Sequence, residues 1–487
     1  MLRGLFFTGI LVVTLGALAW AFENWRGERA WQAKVREYAA KGDPLDAPLG
    51  GTASVPADQD VFATPLLRPL REYDVVGQEI RWRDTNGVAR VDAMTLPRLN
   101  TDNMELTDGR TPLASWQEAL RETGQFPLPA TPGTPASDVL IALDRWKAEL
   151  EELEAASHRP MARFRTGSEG DLEAYLKFLG RAKSFSGLLQ LRSAARLSAG
   201  DSNRALADIE FNERWARLMD SEPLMISHLV AIAIETIGTR MAWEGLADHR
   251  WNDEQLQRLQ ALFAARRPRE NLARVLRGEL RFGLSYMESW LGAAPSTAGS
   301  PDTDATPGPA HPATRLPRGW VRQNQISLVR YHELLAARCA RWIAGDLPDA
   351  QIGEGPVEQL KREGPAIYTT LTLMLAPALE RTMEKADRLL TISRMAEIAC
   401  ALERYRLANG GYPETLEALK PTLMSEVPSD PCTGKPFQYR RTGDATFQLY
   451  SLGLNGRDDG GRFVRDDTSN DWVWPVAVPM DRKERMF

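Results

Sequence analysis

Cysteine and histidine are scarce in this 487-residue chain, with three of the first and five of the second. Cys339, Cys400 and Cys432 form no C-x-x-C pair, which excludes zinc ribbons and a disulfide framework. At most one internal bridge can form, and Cys400 with Cys432 is the pair to test; the alternative is three small buried apolar side chains. His158, His228, His249, His311 and His332 lie far apart in sequence. His332-Glu333 begins like a zincin helix, but no histidine follows at the required place. Also missing are G-x-S-x-G, the phosphate-cradling Walker loop and G-x-G-x-x-G. A net charge of -5 argues against a general nucleic-acid binder. The fourteen tryptophans are scattered and offer no repeating platform for bases. Carboxylate pairs such as Glu151-Glu152 lie on charged helix faces and read as solvated. The expectation is a non-enzymatic protein. The alternative is an enzyme whose site, drawn from residues such as His228, Glu235 and His332, assembles in the helical part of the chain.

Against these absences stands one long charge-free run. Gly4 to Phe22 is uncharged and mostly apolar, and as a helix would be roughly 28 Å long, about one hydrocarbon thickness. Arg3 precedes it, and Glu23, Arg26, Glu28 and Arg29 follow. It reads as a single-pass membrane anchor, or as a signal peptide with Ala17-Leu18-Ala19 as cleavage site. Trp25 to Lys41 reads as a charged stalk, and Gly42 to Asp60, rich in Pro, Gly and Ala, as a linker. Glu79 to Val91 reads as a β-hairpin turning at Asn86-Gly87. Pro112 to Glu122 reads as a short helix with proline in its first turn.

The middle of the chain is helical in pattern. Leu143, Trp146, Leu150 and Leu153 recur at spacings of three and four. Leu224 to Met241 reads as a buried core helix, because Glu222, Glu235 and Arg240 leave its charge-free run too short to span a bilayer. Ala199 to Ile209 resembles the turn and second-helix start of a tetratricopeptide repeat, with Gly200 ending one helix and Ala205 at the crossing. An array of such helical hairpins implies a protein partner on a concave face. Arg274, Arg277 and Arg281 read as a solvated stripe with Glu270 and Glu279 as local partners. Ala293 to Gly319 holds six prolines and reads as a linker.

The C-terminal end carries the most specific signal. A helix stops at Asn409-Gly410-Gly411, where glycine reaches the left-handed conformation of a C-cap, and Pro413 prevents its resumption. Phe437 to Arg440 and Thr446 to Tyr450, separated by Thr442-Gly443-Asp444, read as a hairpin. With Pro431 to Tyr439, Phe447 to Gly453, Asn455 to Gly461 and Asp471-Trp472, these pieces resemble in order and spacing the globular end of a major pseudopilin of type II secretion. That resemblance, over Ala396 to Trp472, implies a bacterial inner-membrane protein with its body in the periplasm and a role in assembly. It also implies calcium in the acidic loop. The candidate ligands are Asp458, Asp459, Asp466, Asp467 and Asp471, with Leu454 as a carbonyl donor; the alternative is a solvated acidic turn. One feature departs from the family. The apolar run Ile367 to Leu379 is only 13 residues long and contains Pro377, too short to span, so polymerisation through that helix is not expected.

The expected fold class is mainly α: an N-terminal membrane helix, a helical-hairpin array and a small C-terminal α+β pseudopilin-like domain. The expected divisions are 1–22 (anchor or signal), 23–62 (stalk and linker), 63–125 (small α/β segment), 126–136 (Pro-rich linker), 137–291 (helical domain), 292–320 (linker), 321–395 (continuing helices), 396–474 (pseudopilin-like) and 475–487 (tail).

Overall fold

The computed structural model describes residues 2–45, 55–76, 79–99, 110–164, 169–292, 317–344, 355–461 and 471–474. It is mainly helical. Helix α1 (Leu2–Ala40) runs unbroken from the apolar segment into the charged one. It is long and apolar enough to cross a membrane, and the side chains of residues 6–22 are exposed. The second half is not a free stalk. Its Trp31 is buried with Leu280, Leu284, Val321, Leu328 and Val329. The amphipathic pattern after Glu23 thus buries one face rather than solvating all round.

Strands β1 (Tyr73–Val76) and β2 (Glu79–Trp82) pair antiparallel, with Tyr73 opposite Trp82. This corrects the expected hairpin. Asn86-Gly87 is not its turn but the first turn of α2 (Thr85–Asp92), because the Asp84 carboxylate accepts the Gly87 N–H at 2.8 Å. An N-cap aspartate outweighs the turn preference of Asn-Gly when Val88 and Val91 have a core to enter. Next come α3 (Leu113–Glu122), α4 (Pro135–Leu143), α5 (Lys147–Ala156), α6 (Glu169–Ser198) and α7 (Ser202–Met219). Gly200, at φ +82°, turns α6 into α7, and Asp201 caps α7 by accepting the Arg204 N–H. Ala205 is fully buried at the crossing. Glu152 on α5 is not merely solvated, since it accepts the Leu66 N–H at 2.6 Å.

Helices α8 (Met225–Ala247), α9 (Asp253–Ala264) and α10 (Pro268–Gly292) complete this half. The core-helix expectation for Leu224 to Met241 matches α8, whose Ile234, Met241 and Ala242 are buried. The arginine stripe is corrected in part. Arg277 is exposed, but Arg274 donates to the Asp220 and Ser221 carbonyls and Arg281 pairs with Asp43. Glu279 accepts the Met225 N–H at 2.9 Å, so this face of α10 joins neighbouring segments instead of meeting water.

Helices α11 (Arg318–Ile343) and α12 (Pro356–Glu363) lead into α13 (Ala366–Asn409), which continues through Pro377 as one 44-residue helix. The apolar start of α13 is partly enclosed. Leu379, Met383, Ala386 and Leu389 are buried against Tyr331, Leu335, Cys339, Trp342 and Leu360. Burying Leu379, Met383 and Leu389 contributes about 1.5–3 kcal/mol each. Gly410, at φ +80°, ends α13 where the glycine pattern placed the stop. Strands β3 (Gln438–Gly443), β4 (Thr446–Ser451) and β5 (Trp472–Trp474) form a sheet in that order, all antiparallel. The sheet closes on the second half of α13, with Tyr412, Phe437, Leu449, Trp472 and Trp474 in one cluster with Ile392 to Leu402. The same cluster reaches back to Val61. Cys339, Cys400 and Cys432 are free thiols in these cores; Cys432 lies 3.5 Å from the Thr391 hydroxyl.

Candidate functional site

The loop between β4 and β5 hangs on two aspartates. Asp430 is buried below it and accepts hydrogen bonds from the Cys432 N–H (2.9 Å), the Thr433 hydroxyl (3.1 Å) and the Ser451 hydroxyl (2.9 Å). Ser451 Oγ in turn accepts the Gly453 N–H at 3.0 Å. This network fixes the end of β4 and the point where the loop departs. In the sequence Asp430 carries only the signal of Ser-Asp-Pro ahead of a turn, a pattern that many surface loops share.

Asp471 closes the loop from the other side. Its Oδ2 accepts the N–H groups of Asp459 (3.0 Å) and Gly461 (2.8 Å). Its Oδ1 is buried and has no hydrogen-bond partner among the described residues, in a residue only 3 % exposed. Burial pushes this carboxyl above its ordinary range, and the charges of Asp458 and Asp459 push it the same way. Asp458 Oδ1 accepts from the Tyr450 hydroxyl (3.0 Å) and the Gly460 N–H (2.9 Å), and Asp459 Oδ2 accepts from the Asn455 amide (3.3 Å). Leu454 packs on the core at the start of the loop. Asp466 and Asp467 lie outside the described residues.

A buried carboxylate oxygen without a donor is costly unless something fills its place. A hard cation beside Asp471 would do so, and this orphan oxygen is the feature of the loop that fits calcium. Among the described residues no three acidic, histidine or cysteine side chains converge to hold an ion. Further oxygens would therefore come from backbone carbonyls such as that of Leu454, and from Asp466 and Asp467.

The residues of the enzyme alternative sit in the helical half, His228 and His332 buried and Glu235 half-buried. His228 Nδ1 lies 2.8 Å from Asp220 Oδ1, and its Nε2 has no hydrogen-bond partner among the described residues. His332 packs against the Leu276 backbone of α10, and burial depresses its pKa to about 4. Glu235 is pushed up to about 8, chiefly by burial. It belongs with a buried ion pair, Arg266 with Glu213, that also engages Thr239 and Ser393 and so ties α7, α8 and α13 together. A surface cavity of about 300 Å³ lies elsewhere, between α2 and α6, lined by Met94, Lys177, Arg181 and Phe185 among others.

A long helix ended by a glycine cap, a three-stranded antiparallel sheet packed on its second half and an acidic loop before the last strand together define a pseudopilin-like unit. Residues 379–470 match the family model of the type II secretion system protein G. Two relatives share that name. The core protein G of Pseudomonas aeruginosa is 33% identical over 115 residues, which covers 80% of that protein and 19% of this chain. That of Vibrio cholerae is 33% identical over 111 residues, covering 75% of it and 19% of this chain. Through this segment the chain belongs to the type II secretion system protein G family. No solved structure matches the chain at comparable stringency.

Proposed function

We propose that this protein is a membrane-anchored, non-enzymatic component of a type II secretion-like assembly, in which a helical body presents a pseudopilin head. In this reading α1 crosses the bacterial inner membrane once, the body lies in the periplasm, and the helical half carries a protein partner. The observation that carries it is the treatment of the pseudopilin helix. Its second half bears the head, whereas its first half is packed against α11 and α12. A helix committed to its own chain in this way is a support for the head, not a free assembly arm. The head can still engage other pseudopilin heads through its exposed sheet and loop surface. Calcium in the loop after β4, held by Asp471 with the carbonyl of Leu454 and Asp458, Asp459, Asp466 or Asp467, would order the last strand. Deleting residues 411–487 from the native host tests the reading: secretion of a type II substrate should fall while the truncated protein stays in the membrane fraction. Unchanged secretion with normal levels of the truncated protein would refute it.

A further inference from the structure

The join between α1 and the body fixes where the body sits. Residue pairs climb together along three helices. Asn24 meets Gly319, Glu28 meets Arg322 and Lys34 meets Glu333. Trp320 meets Ile367, Asn324 meets Leu371 and Trp342 meets Asp387. Helices α1, α11 and α13 therefore run parallel, and α11 and α13 both begin at the level where the charge-free run of α1 ends.

That level is locked. The Asn24 side chain accepts the Gly319 N–H at 2.8 Å, capping α11, which has no cap of its own because Pro317 occupies that place. The backbones touch here, and a Cβ on Gly319 would overlap the Glu23 carbonyl. Arg26 donates to the Tyr368 hydroxyl at 2.6 Å, and the Trp320 indole donates to the Ile367 carbonyl at 2.7 Å. Arg26 lies four residues past Phe22, about 6 Å along the helix.

We propose that the N-terminal turns of α11 and α13 form a foot that rests in the headgroup region of the bilayer. The proposal rests on the reading of α1 as a membrane span. Ile367 is 59% exposed and Trp25 57% exposed at this level, apolar surface with no cover from the protein itself. Trp20, Trp25, Trp320 and Tyr368 make a belt of amphipathic rings, which favour the membrane–water interface. Arg29 stacks over Trp25, and Arg318, exposed at the start of α11, donates to the Leu291 carbonyl at 3.1 Å; both are cations at this level that can meet lipid phosphates. From this foot α13 rises as one helix of 44 residues, roughly 66 Å if straight. The body is thus a strut that holds the pseudopilin head well away from the bilayer.

The native cysteines are all buried, so single labels can be placed by Val12→Cys, Ile367→Cys and Asn409→Cys in the full chain. The protein is reconstituted in vesicles of phosphatidylethanolamine and phosphatidylglycerol. Spin labels there report collision with oxygen, which partitions into lipid, and with a water-soluble nickel chelate. The label at 12 should be open to oxygen and closed to nickel. The label at 367 should lose most of its nickel accessibility while gaining oxygen, a pattern that burial in protein does not give. The label at 409 should stay fully open to nickel. A label at 367 as open to nickel as that at 409, with 12 still shielded, overturns the foot and leaves the anchor standing. Nickel access at 12 overturns both, and shielding at 409 overturns the strut.

Discussion

Glu222 offers a sharp test of the helical half. It lies in the short turn between α7 and α8, 3% exposed, and its Oε1 accepts the Phe164 N–H at 2.8 Å. Burial dominates its environment and lifts its pKa from 4.5 to about 7, against the lowering effect of the Phe164 N–H and of Arg163. The folded state therefore binds the proton more tightly than the unfolded state. Stability from this group is complete at low pH and is lost as pH rises from about 4.5 through 7. At 1.36 kcal/mol per unit, the loss is on the order of 3 kcal/mol once the carboxylate is charged. Glu222→Gln keeps an oxygen acceptor for Phe164 and removes the charge. Any fixed cost of the new amide N–H is the same at every pH, so the change in the difference isolates the titration. Urea unfolding of detergent-solubilised wild type and variant should show the variant gaining about 1–3 kcal/mol on wild type between about pH 4 and pH 9. An unchanged difference across that range would show that Glu222 is solvated and that the turn is not packed as described.

Other outcomes follow from the same geometry. Calcium should raise the thermal midpoint of the protein, by about 2.7 kcal/mol of stabilisation at a hundred times the Kd, and Asp471→Asn should remove that response; equal midpoints with calcium and with chelator in the wild type would leave the loop a plain acidic turn. Arg266→Met leaves Glu213 buried without its partner and should cost roughly 3–5 kcal/mol in urea unfolding, more than any exposed arginine on α10. Gly319→Ala must push α11 off α1 and should cost about 1–3 kcal/mol, read as faster proteolysis between residues 24 and 41; wild-type resistance would contradict the backbone contact. Because burial depresses His332, its contribution is full above pH 6.5 and is lost as pH falls toward 4, so His332→Leu should flatten acid unfolding over that window.

The membrane-length run, the glycine stop after Asn409, the hairpin of β3 and β4 and the core character of α8 were legible in the sequence. Each rests on a local rule, whether an uninterrupted apolar stretch, a left-handed glycine, alternation or periodicity, that needs no distant partner. The same locality misled at Asn86-Gly87, where Asp84 and a core for Val88 and Val91 turned a hairpin signal into a helix start. Trp25 to Lys41 carries charges enough for a free stalk, and only packing on α11 decided which face is buried. Arg274 of α10 and the carboxylates Glu152, Glu222 and Glu279 look solvated in sequence, because their backbone partners lie tens of residues away. Asp458, Asp459 and Asp471 stand out in sequence by their crowding, but tertiary structure alone shows that Asp471 closes the loop and keeps one oxygen unpaired among the described residues. Sequence specifies what each segment can form. Which helix covers the apolar start of α13, and which buried charges find partners, is settled only when distant segments exclude water from one another and every desolvated group must be satisfied there.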